Sequence, residues 1–157
     1  MFEFIYFSPK KLKLHKRSLL NVLEFKNEKE KILVEFVIKS AINESTNLYA
    51  LKDKKIIALI ALSASSIMID KKFFPAVNID LLFVNNSYRN KVLKELNGNK
   101  VSSYLVDFAI FNANEVKNRV AVRFLSLFPF NKEEKLIRLY EKMGFFKLKS
   151  GFMVMKI

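Results

Sequence analysis

A tyrosine near the C-terminus, an aspartate inside an apolar run and cations around a helix start are the residues here that could do chemistry. Tyr140 lies in Leu139-Tyr140-Glu141-Lys142-Met143-Gly144-Phe145. A phenol with a reference pKa near 10 is a proton donor at neutral pH. The same residue on the apolar face of a helix also reads as core. Asp80 falls in Ile79-Asp80-Leu81-Leu82-Phe83-Val84 and shares a strand face with Leu82 and Val84. An acid in an otherwise apolar strand is unusual. It reads as a general base, or as a strand-end carboxylate paired with a lysine. Arg89 follows that strand, and Lys100 precedes Val101-Ser102-Ser103 at the head of a helical pattern. Amides at a helix start together with a cation suit an anion such as a phosphate; an ordinary exposed lysine is the other reading of Lys100.

Composition narrows the chemistry. There is no cysteine, so disulfides, a cysteine nucleophile and thiolate metal sites are excluded. A single histidine, His15, argues against a histidine-based zinc centre, and no metal ligands are assigned. With only Gly98, Gly144 and Gly151, no full glycine-rich dinucleotide or Walker loop can be built. The net charge of +13 suits an anionic partner, or reflects lysines spread as a solubilising surface. The expectation is the scattered surface. The longest apolar run, Ile56 to Ile69, is shorter than the ~20 residues that span a bilayer. No signal peptide is visible, and the expected location is the cytoplasm.

These residues need elements to hold them. A chain of 157 residues is read as one domain, residues 1–157, with a real core. Phe2 to Phe7 reads as a strand. Ser8-Pro9 reads as an N-cap with proline at the first helical position, opening a basic helix from Lys10 to about Phe25. A second helix runs from Glu28 to Ile42 with Ile32, Leu33, Phe36 and Val37 as its apolar stripe. Leu48–Leu51 and Ile56–Leu62 form a hairpin, and Pro75 closes a loop before a strand from Val77 to Val84. A helix spans Val101 to Lys117, a strand Val120 to Phe128. Asn131 and Glu134 look like a capping box for the helix that carries Tyr140, and Gly144 is its left-handed stop. Phe146–Lys149 and Phe152–Ile157 close the chain as strands. The strand–helix–strand core demands a parallel pair inside a mixed sheet, with helices on both faces.

The run Leu139 to Phe145 resembles the signature near the C-terminus of the GNAT superfamily of acyl-CoA N-acetyltransferases. The element order is similar to the same fold over nearly the whole chain. The resemblance implies a mixed α/β GNAT-like fold, acetyl-CoA as cofactor, and direct attack of an acceptor amine on the thioester. It implies that Tyr140 protonates the departing thiolate and that Asp80 is a candidate base for the amine. Leu82, Phe83 and Val84 would offer backbone groups to the pantetheine arm. The family's phosphate motif resembles Arg89 followed, after the intervening Asn90 to Leu96, by Gly98, Asn99, Lys100, Val101, Ser102 and Ser103. Lys100 and Ser102 stand where the family has glycines. An asparagine that often contacts pantetheine falls at Glu133, with Asn131 two residues earlier. The N-terminal half resembles the branch that acetylates aminoacyl-tRNA as toxins, through Phe36–Ala41 and Leu59–Ser66. A small-molecule or peptide amine is the expected acceptor, with tRNA as the alternative. No membrane partner is expected, and the assembly is read as a monomer or homodimer. The rivals are a degenerate CoA- or partner-binding protein and a basic nucleic-acid-binding protein.

Overall fold

The computed structural model describes residues 1–157. In chain order the elements are β1 (Glu3–Phe7), α1 (Pro9–Val22), α2 (Glu28–Ile42), β2 (Asn47–Lys52), β3 (Ile56–Ile69) and β4 (Lys72–Val84). They continue with β5 (Val92–Leu93), β6 (Asn99–Lys100), α3 (Val101–Lys117), β7 (Phe124–Leu127), α4 (Glu134–Lys142), β8 (Phe146–Lys147) and β9 (Met153–Lys156). Seven strands share one sheet in the order β1-β2-β3-β4-β7-β9-β8, while β5 and β6 form a separate ribbon. β4 and β7 run parallel, from Ala76 opposite Phe124 to Ile79 opposite Leu127. The pairs β1–β2, β2–β3, β7–β9 and β8–β9 are antiparallel. This is the mixed sheet with a parallel pair that the element order demanded. No helix is long and apolar enough to cross a membrane.

The chain divides into two compact units. The first comprises Met1–Leu62 and Asp80–Leu105. Here Ser8 Oγ accepts the Lys11 N–H at 3.2 Å and Pro9 occupies the first turn of α1. Asn27 Oδ1 caps α2 through the Glu30 N–H at 3.0 Å. Leu12, Leu19 and Leu23 pack with Val34, Val37, Ile38 and Ala41 against Leu48, Ala50, Leu59, Ala61, Leu81 and Phe83. The two helices therefore cover one sheet face, the one that bears Leu81 and Phe83. Two expectations shift. α1 ends at Val22, because Leu23 turns extended (ψ 140) while staying buried. The buried face of α2 is rotated: Ile32 and Phe36 are exposed, and Val34 and Ile38 are core. Apolar residues surround that helix too evenly for spacing to choose a face.

The second unit comprises Ser63–Ile79 and Val106–Ile157. β3 and β4 are longer than the sequence suggested, meeting at Asp70-Lys71 with φ of 51 and 65. A two-residue hairpin loop favours left-handed residues, usually Asn or Gly, so an Asp-Lys pair gave no turn signal. Pro75 lies inside β4 rather than in a loop. It sits one residue before the β4–β7 ladder opens, and its carbonyl accepts the Arg123 N–H at 3.0 Å. β7 is shorter than the expected Val120–Phe128, and the final strands shrink to two and four residues. A second cluster of Ile67, Ala76 and Val154 is flanked by Phe124, Leu148 and Phe152.

Candidate active site

In the first unit the candidates gather along the end of β4 and the start of α3. The β4–β7 ladder stops at Ile79, and β4 continues to Val84. Asp80 is half-buried, and its Oδ2 lies 2.6 Å from Thr46 Oγ1. That hydroxyl is also 3.1 Å from the Leu62 carbonyl. Its one proton has two acceptors, and the shorter contact is to the carboxylate. Geometry thus gives Asp80 a hydroxyl as a hydrogen-bond partner. The turn around Thr46 carried no signal for this contact.

The loop after β4 is held by side chains. Asn85 is buried, accepts the Glu24 N–H on Oδ1 at 3.0 Å and donates from Nδ2 to the Ile56 carbonyl at 3.0 Å. Ser87 donates from its N–H (3.0 Å) and its hydroxyl to the Glu24 carboxylate. Those two Ser87 bonds hold the Glu24 pKa below its ordinary value. Arg89 Nη1 and Nη2 each donate to Glu30 at 2.8 Å, and Nε donates to the Val84 carbonyl at 2.7 Å. Burial pushes the Glu30 carboxyl up, but the Arg89 hydrogen bonds, the Lys26 N–H and the nearby cations outweigh it and leave it lowered. The guanidinium expected beside a phosphate is therefore committed to fastening the end of β4 to α2. The Val84 carbonyl, expected to meet pantetheine, is engaged by it.

The intervening residues Asn90 to Leu96 are ordered. β5 and β6 pair Val92 with Lys100 and Leu93 with Asn99. Leu96, in the connection between the two strands, is buried. Asn97 and Gly98 turn it with φ of 55 and 76, and the Gly98 N–H reaches the Leu93 carbonyl at 3.0 Å. α3 begins directly at Val101, with no acid in its first turn. Lys100 is half-buried at the junction, followed by half-buried Ser102 and Ser103. The first amides of a helix lack partners within it, so this junction presents free N–H groups beside a lysine. Leu82 is half-buried and Phe83 is core, its ring 5.3 Å from Phe25.

Tyr140, Asn131 and Glu133 belong to the second unit, whereas Asp80 belongs to the first. The helix carrying the tyrosine ends as its sequence predicts. The Phe145 N–H bonds the Tyr140 carbonyl at 3.1 Å, and the Gly144 N–H bonds the Glu141 carbonyl at 3.1 Å, with Gly144 at φ 107. These are the paired bonds of a Schellman stop, and its usual apolar contact is Phe145 against the Tyr140 ring, centroids 6.0 Å apart. The glycine and phenylalanine of the signature thus fix the tyrosine ring. Burial alone pushes the Tyr140 phenol up to about 12. Every fully buried side-chain N or O atom has a hydrogen-bond partner. The Tyr140 hydroxyl takes none within the protein, so its oxygen keeps some exposure while the residue as a whole is only 5% exposed. It is a protonated donor without a protein acceptor.

The N-terminus of that helix differs from expectation. Asn131 does not cap it: Asn131 and Lys132 are both left-handed, at φ 56 and 52, in a short turn ahead of Glu133. Glu133 holds the cap position without a side-chain bond. Asn131 and Glu133 are exposed. Pro129 stops β7 so close to α4 that the chain turns before the helix instead of capping it.

No protein-family model matches the sequence, and no curated protein matches it. Solved structures do match in fold. The AtaT toxin, as a tyrosine-to-phenylalanine mutant bound to the C-terminus of the antitoxin AtaR and acetyl-CoA, superposes with a TM-score of 0.78 at 13% identity, covering 99% of this chain and 93% of that one. AtaT complexed with acetyl-methionyl-tRNAfMet gives 0.78 at 14% identity over 99% and 95%. The KacTA–DNA complex gives 0.72 at 16% identity over 99% and 93%. The chain has the GNAT fold.

Proposed function

We propose that residues 1–157 act as one domain, an acetyl-CoA-dependent N-acetyltransferase. The observation that carries this reading is the Tyr140 hydroxyl, protonated, unpartnered and held on a buried ring beside a Schellman stop. Bound acetyl-CoA supplies the acyl thioester. The residues that would hold it are the free amides of Val101, Ser102 and Ser103 with Lys100, which suit phosphates, and backbone groups of Leu82 and Phe83 on the part of β4 beyond the β7 ladder. Gly98 and Asn99 shape the ribbon that delivers Lys100. Arg89 acts as a positioning residue through Glu30 and Val84. Asn131 and Glu133 lie ahead of the tyrosine helix, where the pantetheine contact was expected.

Tyr140 gives its hydrogen bond to the departing sulfur. A phenol near 12 facing a thiol whose reference pKa is about 8.5 would lose its proton uphill by roughly three to four units. Its role is then to stabilise charge growing on sulfur by hydrogen bonding, with proton delivery completing the exit. Asp80, hydrogen-bonded to Thr46, is the carboxylate proposed to take a proton from the acceptor amine.

For the acceptor, the RNA-linked reading gains over a small amine. The chain is strongly basic, α1 carries five Lys and Arg residues and no acid, and a structural relative was solved with an acetyl-aminoacyl-tRNA. The deciding experiment follows transfer of labelled acetyl from acetyl-CoA to aminoacyl-tRNA, to free amino acids and to a peptide amine. Transfer to the aminoacyl-tRNA alone is expected. Binding of acetyl-CoA without transfer to any amine would leave a cofactor-binding protein; no binding at all would remove the acyltransferase reading.

A further inference from the structure

The turn that fails to cap α4 has another consequence. A cavity of about 240 Å³ opens in the second unit, lined by Pro129, Lys132, Glu134 and Ile137 on one side and by Lys147, Lys149, Ser150 and Gly151 on the other. Three lysines and one glutamate are among its lining residues. The protein's ion pairs are Met1 with Asp53 and Arg89 with Glu30, so none of these lysines is paired. Three unpaired lysines lining one cavity repel each other unless an anion joins them.

The walls are built to keep that arrangement. Lys132 is presented by two successive left-handed residues that are not glycine, a conformation that costs energy and survives only where the surroundings impose it. Opposite, the Leu148 N–H bonds the Phe152 carbonyl at 2.8 Å and the Gly151 N–H bonds the Leu148 carbonyl at 3.0 Å, closing a tight turn. Gly151 sits at φ 98, and a Cβ there would meet Phe128 Cε2 at 3.0 Å. The turn therefore lies so close to Phe128 that a side chain at Gly151 would require the ring to give way by a few tenths of an ångström. Phe128 is locked in turn by an edge contact with Phe152, centroids 5.1 Å apart. The first-turn amides of α4, the helix whose Glu134 and Ile137 line the cavity, have no side-chain cap.

We propose that this cavity binds a phosphate group, and that the group is carried by a polynucleotide backbone or is free in solution. Its volume lies below the ~300 Å³ at which pockets begin to enclose whole drug-sized ligands. It thus accepts one anionic group and leaves the rest of a larger ligand outside. Lys132, Lys147 and Lys149 supply the charge. Ser150 and the α4 amides supply directed donors. Glu134 lowers the net charge and disfavours a more highly charged cluster. The site stands independently of acyl transfer and is tested by binding alone.

The test compares wild type with Lys147→Gln/Lys149→Gln, and with Lys54→Gln/Lys71→Gln, which removes the same charge from exposed positions elsewhere. Each protein is titrated with a labelled single-stranded RNA, with inorganic phosphate and with CoA, and its melting temperature is recorded. The cavity variant is expected to lose about tenfold in affinity for RNA, for phosphate or for both, while the distant variant changes by less than twofold. Loss for RNA with no phosphate binding identifies a backbone phosphodiester; loss for phosphate alone identifies a free anion. On single strands the RNA salt slope should fall by about 0.7 for each phosphate no longer neutralised. Equal losses in the two variants, no loss in either, or a loss confined to CoA would overturn the proposal, the last because the lysines would then serve the cofactor.

Discussion

Tyr140 is where the reading is most exposed to experiment. Tyr140→Phe removes one oxygen and leaves the ring against Phe145. Turnover is expected to fall by about 10–10⁴-fold with acetyl-CoA affinity nearly unchanged, the pattern of an interaction made during the chemical step. Single-turnover kinetics beside calorimetry check it; wild-type turnover in the variant would remove Tyr140 from the mechanism. The raised phenol also predicts a pH effect on stability. Its folded pKa of about 12 exceeds the unfolded value of 10, so its contribution is intact below pH 10 and is lost as pH rises toward 12. Between pH 8 and pH 11 wild type should lose about 1.4 kcal/mol more than Tyr140→Phe, an estimate from one pKa unit of titration. Urea melts of both proteins at the two pH values decide this, the phenylalanine variant cancelling every other titrating group.

Among the elements, the tie between α2 and the end of β4 carries the clearest expectation. Glu30→Gln leaves Arg89 with a neutral partner, weakening charge-assisted bonds and destabilising the fold by about 1–3 kcal/mol. If Arg89 positions the cofactor strand rather than touching phosphate, acetyl-CoA affinity should fall only a few-fold, and Arg89→Gln should match it. A much larger loss in the arginine variant than in Glu30→Gln would return Arg89 to the phosphates. This tie was invisible in sequence, because its members lie 59 residues apart. Local signals were legible instead: Ser8 with Pro9, the span of α2, the span of α3, and the stop at Gly144. Signals failed where a residue acts against type. Pro75 inside a strand, a hairpin turned by Asp70 and Lys71, and Asn131 left-handed ahead of a helix all follow from neighbours that spacing does not record.

At the scale of the whole molecule, charge is the open variable. If α1 grips an RNA acceptor, replacing Lys10, Lys13 and Arg17 with glutamine should weaken RNA binding. On a single strand its salt slope should fall by about 0.7 for each phosphate that α1 no longer neutralises. A peptide-amine acceptor predicts no change. Binding measured across a salt series separates the two. The mixed sheet and its parallel pair were readable from element order, since a strand–helix–strand run admits few topologies. Which residues share a compact unit was not: Asp80 and Tyr140, read as partners in one reaction, lie in different units.

The Schellman stop has an implication for how this chain could change. The features that make its signature recognisable, Gly144 and Phe145, serve to end a helix and clamp a ring. They are indifferent to the atom that does the work. One hydroxyl can therefore vanish without loosening the packing, and the outward sequence pattern would survive intact. A protein built this way stands a single oxygen from an inert twin of the same shape, able to occupy every partner of the active form and to compete with it.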